Sequence, residues 1–213
     1  MGTDLSVEID YTGEVRKVLL ITLVLNSAVA LAKALYGYFT NSIAMASDGL
    51  HSFFDGMSNV VGLIGIWIAA HPPDEDHPYG HKKFETMATI IIALMIFLTC
   101  LQILRKVYLS LFEDHKTIVT EISFAIMLMT MGVNFFVMLY ESGKGKKLGS
   151  EFLVADAMHT KSDIFVSLAV VLSLIFTRMG YFYADTVVGV VITFFIARIG
   201  FAIVKSASTV LVD

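Results

Sequence analysis

Residues 48–55 read DGLHSFFD and residues 156–163 read DAMHTKSD. Both follow D-x-x-H-x-x-x-D, with Asp48, His51 and Asp55 in the first and Asp156, His159 and Asp163 in the second. Each octet interrupts a long apolar run, over 43–70 and over 152–177. About 20 apolar residues cross a bilayer core as a helix. Hydrocarbon tolerates no unpaired backbone, so runs of this length read as transmembrane helices. Within a helix, positions i, i+3 and i+7 share one face, so each octet projects Asp, His and Asp the same way.

The rest of the chain agrees with a membrane class. Of its 213 residues 56% are hydrophobic and 16% charged, against about 25% charged in ordinary soluble domains. Further apolar runs cover 18–38, 84–108, 117–140 and 181–204, making six. The breaks are FTNS, HPPDEDHPYGH, FEDHK, ESGKGKKLGS (141–150) and RMGY, and all three prolines fall in the second of them. The expected fold is an all-α membrane protein of six spans in a single domain, 1–213. Six spans put both termini on one side. Eight of the fifteen Lys and Arg fall at the termini and even-numbered breaks, four lie opposite, and Lys33, Lys161 and Arg198 fall within spans. The excess of positive charge places the termini in the cytoplasm.

Other classes lose ground on the same residues. Net charge is −4 and no basic patch follows a binding motif, so nucleic acid is not an expected partner. One cysteine, Cys100, builds neither a disulfide nor a thiolate site. The acidic start MGTDLSVEID is not a secretory signal.

A charged side chain at the bilayer centre costs about 2.5–3.5 kcal/mol on insertion scales. Asp55 and Asp163 lie near the middle of antiparallel spans, so facing helices would gather His51, Asp55, His159 and Asp163. Around a divalent cation, two carboxylates balance the charge and two neutral imidazoles complete a tetrahedral shell suited to Zn²⁺. Asp48 and Asp156 are second-rank: they either orient the histidines or are polar groups near helix ends. The loop residues Asp74, His77 and His81, pinned among Pro72, Pro73 and Pro78, form a further carboxylate–imidazole set. The bland alternative is a solvated turn that binds nothing.

HSFFD and HTKSD on the second and fifth spans, with DEDHPYGHKKFE after the second, resemble the cation diffusion facilitator family of metal/proton antiporters. The resemblance implies that His51, Asp55, His159 and Asp163 form the transport site of a divalent-cation efflux transporter. It implies that His at the first position is the zinc-preferring version, since manganese members typically place carboxylate pairs there. It also implies a second, cytoplasmic metal site at Asp74, His77 and His81, a Lys83–Asp213 charge pair tying the loop to the end of span six, and a homodimer. Family members commonly continue into a cytoplasmic ferredoxin-like domain, which is absent from this chain.

The expectation is therefore a Zn²⁺/proton antiporter in the lipid bilayer of a prokaryotic inner or plasma membrane, and not an enzyme. Fe²⁺, Cd²⁺ or Co²⁺ are the alternative cargoes, and a non-transporting scaffold of the same fold is the alternative role. An intramembrane zinc hydrolase would want three protein ligands, an open water position and a general base. The quartet fills the shell and H-E-x-x-H is missing.

Overall fold

Apolar runs without proline become helices because each backbone N–H and C=O is then paired within its own segment. A computed structural model describes residues 2–39, 52–53, 55–110, 121–179 and 184–212. Among them are six helices: α1 (Gly2–Phe39), α2 (Met57–Ala69), α3 (Lys83–Ser110), α4 (Glu121–Leu148), α5 (Glu151–Arg178) and α6 (Ala184–Val212). Ser52, Phe53 and Asp55 are also helical, and the Gly56 N–H donates to the Ser52 carbonyl at 3.1 Å. Asp55 thus continues the helical path of α2.

Four helices are long and apolar enough to cross a membrane, over Tyr11–Tyr36, Lys83–Leu109, Phe124–Leu148 and Val187–Val210. The fifth helix matches them in length but carries Asp156, His159, Lys161 and Asp163, so hydropathy alone passes it over. Large apolar side chains such as Trp67, Leu101, Phe194 and Phe201 point outward, as hydrocarbon permits and water would not.

α1, α2, α4 and α5 form one bundle, each touching two of the others. The most extensive interface in the molecule joins α3 to α6, and that pair packs on α2 and α5. The core runs through Val18 and Leu19, Ile66, Ile92 and Ile96, Phe152 and Leu153, and Ile192 and Ile196. α2 reaches α5 because Gly62 has no side chain: a Cβ there would lie inside the Phe152 ring, itself fully buried.

The break expected over 141–150 is largely helix. α4 runs to Leu148, and only Gly149 and Ser150 separate it from α5. Gly149 adopts φ +72° and the Ser150 N–H donates to the Gly145 carbonyl at 3.0 Å, a left-handed helix end that favours glycine. The Ser150 hydroxyl then accepts the Leu153 N–H at 3.3 Å, capping α5. It also donates to Glu85 Oε1 at 2.6 Å, and Tyr11 donates to the same carboxylate at 2.7 Å. One glutamate so ties α1, α3 and the α4–α5 turn together. Gly143 and Gly145 had suggested a loop, but a helical glycine costs only about 1 kcal/mol relative to alanine. At Gly145 a Cβ would come within 3.0 Å of Leu153 and Val154, so close packing requires the residue that weakens the helix.

Candidate metal sites in the bundle and in the loop

α5 carries His159 and Asp163 one turn apart, His159 buried and Asp163 half-buried. Asp55 approaches from the α2 side. One ligand atom from each of Asp55, His159 and Asp163 lies within 4.8 Å of the others. Tetrahedral zinc with bonds near 2.0–2.1 Å sets its donors roughly 3.3 Å apart, so the three would close by about 1.5 Å at most. They line a cavity of about 20 Å³ with Asn26, Ser52, Ser58, Asn134 and Thr160. A space that size holds one water-sized body. Both ring nitrogens of His159 are buried and make no hydrogen bond among the described residues, an arrangement that ordinarily costs about 1–3 kcal/mol per group unless something binds there. Of the sequence-derived quartet, His51 lies outside the described residues, as does Asp48.

Two polar neighbours of this cavity were not singled out in the sequence. Lys33 of α1 is buried, and its Nζ donates to Ser52 Oγ at 2.9 Å. Asn134 of α4 lines the cavity. Seven residues further on the same face, Glu141 is 0% exposed. Its spacing from Asn134 was the available signal, hidden because 141–150 read as a loop. Asp156, offered as a partner that orients His159, makes no hydrogen bond to it. Glu141, Ser58 and His159 all lie near it.

The loop cluster is built differently. Pro72 and Pro73 end the chain path of α2, and Gly80 turns at φ +83°. The His77 N–H donates to Asp74 Oδ1 at 2.6 Å, and His77 Nδ1 lies 3.1 Å from the same oxygen. His81 Nε2 sits 3.3 Å from Asp74 Oδ2. The two imidazoles are 4.4 Å apart, and His81 stacks on Phe84. The backbone N–H of His77, more than any other neighbour, holds the Asp74 carboxyl below the usual carboxylate range. Asp74, His77 and His81 each offer a ligand atom within 4.8 Å of the others. Asp74 and His77 are open to solvent while His81 is buried. Lys83 starts α3, and its expected partner Asp213 lies outside the described residues.

A family model described as the cation efflux transmembrane domain matches residues 19–212. An uncharacterized transporter of Methanocaldococcus jannaschii is 35% identical over 190 residues, 89% of this chain and 67% of that protein. The manganese efflux system protein MneS of Bacillus subtilis is 33% identical, over 85% of this chain and 62% of its own length. A cadmium, cobalt and zinc/H(+)-K(+) antiporter of Bacillus velezensis is 25% identical, over 94% of this chain and 64% of its own length. The chain thus spans about two thirds of the length of these relatives. A match that runs through all six helices, joined to identities of a third with two transporters, leaves one conclusion: this multi-pass membrane chain belongs to the cation efflux, or cation diffusion facilitator, family, whose members are transporters and not enzymes.

Proposed function

We propose that the chain is the transmembrane part of a divalent-cation exporter, with zinc its preferred cargo and protons the counter-ion. The cargo is held by His51, Asp55, His159 and Asp163. The observation that carries this reading is the convergence of Asp55, His159 and Asp163 donors around a small, ion-sized cavity between helices. Two carboxylates neutralise a dication, and imidazole nitrogen favours Zn²⁺ over harder ions that prefer oxygen. Binding needs neutral imidazole and ionised carboxylate, so loading the site releases protons and protonating it expels the metal. Asp74, His77 and His81 form a cytoplasmic metal site that feeds the cavity. The reading includes six spans, cytoplasmic termini, a homodimer and a prokaryotic plasma membrane.

Purified protein in proteoliposomes loaded with a zinc-sensitive dye tests it. Asp163→Ala and His159→Ala should each lower zinc flux by more than the 10–100-fold typical of losing an outer-shell partner of a metal site. Wild-type flux in both would exclude this cluster as the cargo site. A second reading, manganese as cargo, draws on the 33% identity with MneS. It predicts that Mn²⁺ outruns Zn²⁺ in the same vesicles and that excess Mn²⁺ suppresses zinc flux.

A further inference from the structure

Glu141 and Asp156 are 0% and 1% exposed, and none of their four carboxylate oxygens has a hydrogen-bond partner among the described residues. They meet across the α4–α5 hairpin, with Thr22 of α1 beside Glu141 and Ser58 of α2 beside Asp156. Thr22 donates to Asn59 Oδ1, and the Asn59 amide donates to Ser58 Oγ at 3.5 Å. All four bundle helices therefore bring side-chain oxygen to one buried place. Two facing buried carboxylates, with only the Thr22 and Ser58 hydroxyls beside them, repel each other, and either a shared proton or a bound cation relieves that repulsion.

We propose that Glu141 and Asp156, with Ser58, Asn59 and Thr22 around them, form a second cation site that takes a hard divalent ion such as Mn²⁺ or Mg²⁺. An all-oxygen donor set selects such ions, whereas the mixed histidine–carboxylate cluster selects softer ones. The site adjoins that cluster, with Ser58 lining the cavity as well, but shares none of its three ligand residues. Asp156 precedes His159 by three residues and Asn59 follows Asp55 by four, which is roughly 5 Å along each helix. Glu141 and Asp156 lead toward the Gly149–Ser150 turn, which Glu85 ties to the start of α3 and so to the end of the metal-binding loop. The site therefore lies between the loop and the cluster. Its use as a waystation for cargo rests on the manganese form of the transport reading above; its ability to bind a cation does not.

The test uses the full chain in lipid nanodiscs and Mn²⁺ as the probe, with free Mn²⁺ counted by its electron paramagnetic resonance signal. In a background carrying Asp163→Asn and His81→Ala, one Mn²⁺ per chain is expected. Adding either Glu141→Gln or Asp156→Asn should weaken it at least 30-fold. Pulsed spectra of the bound ion should lack imidazole nitrogen coupling, a readout that needs no change to the pair. Absence of Mn²⁺ binding in the background, binding indifferent to both substitutions (the pair then shares a proton), or clear imidazole coupling would each overturn the proposal. Zinc flux indifferent to Asp163→Ala would sink the transport reading while leaving this Mn²⁺ count standing.

Discussion

The loop cluster and the bundle cluster use the same chemistry and are assembled in opposite ways. Asp74, His77 and His81 come from one eight-residue stretch, and their geometry is local. A turn, three prolines and a carboxylate that accepts the His77 N–H hold the groups together. Asp55 and Asp163 are more than a hundred residues apart and meet only because α2 packs near α5. A short loop pays little closure entropy, so its site needs no distant support. The bundle site depends on packing at positions that never touch an ion.

That contrast is broken most severely at Gly62. Valine there would drive its methyls into the Phe152 ring, and overpacking of this kind costs about 1–3 kcal/mol. Gly62→Val should lower the thermal midpoint by roughly 2–12 °C and remove most zinc flux, because the α2 and α5 donors no longer converge. Metal binding by the loop should be unchanged. Wild-type melting and flux would show that the bundle site does not depend on the α2–α5 approach.

A smaller effect is expected from the loop. His81→Ala removes a proposed ligand and the ring that stacks on Phe84, so loop affinity for zinc should fall by at least the 10–100-fold typical of losing an outer-shell partner. Flux should drop far less than in Asp163→Ala. Calorimetric titration beside the vesicle assay reads both quantities, and equal losses of flux in the two variants would make the loop part of the cargo site itself.

The smallest effect concerns pH. The Asp74 carboxyl is held below its ordinary value, chiefly by the His77 backbone N–H. A depressed carboxylate contributes its stabilisation above the unfolded value, about 3.9, and loses it as pH falls through the lower folded value. The Asp74 carboxyl carbon resonance should therefore show its own titration step only below about 4. Weaker metal binding above that window then arises at ligands other than Asp74. A carboxyl step centred above about 4 would show that the His77 N–H does not hold the carboxylate.

Much of this was legible beforehand, for physical reasons. Apolar runs in a chain whose prolines cluster at 72, 73 and 78 can satisfy their backbone only as helices, and the spacing of HSFFD and HTKSD is a helical period. Asp74, His77 and His81 were readable because a loop site is encoded by neighbours in sequence. Glu141 was not, because Gly143, Gly145 and three lysines look like a connection until Leu153 and Val154 close on Gly145. Lys33 was visible as a cation in a span, but its contact with Ser52 joins two different helices. The contact of Asp156 with Glu141 was hidden in the same way: it joins two helices across the hairpin.

By itself, then, the sequence determined which segments must be helical, which loop could grip a metal, and which face of each octet carries its costly groups. Those follow from local rules of backbone pairing and helical period. Which faces meet was decided only by tertiary packing: glycine at 62 against Phe152, a two-residue turn between α4 and α5, and a glutamate brought from an apparent loop to face Asp156. The physical reason is that a buried ionisable group is tolerated by virtue of its spatial neighbours, and those neighbours come from elements far apart in the chain.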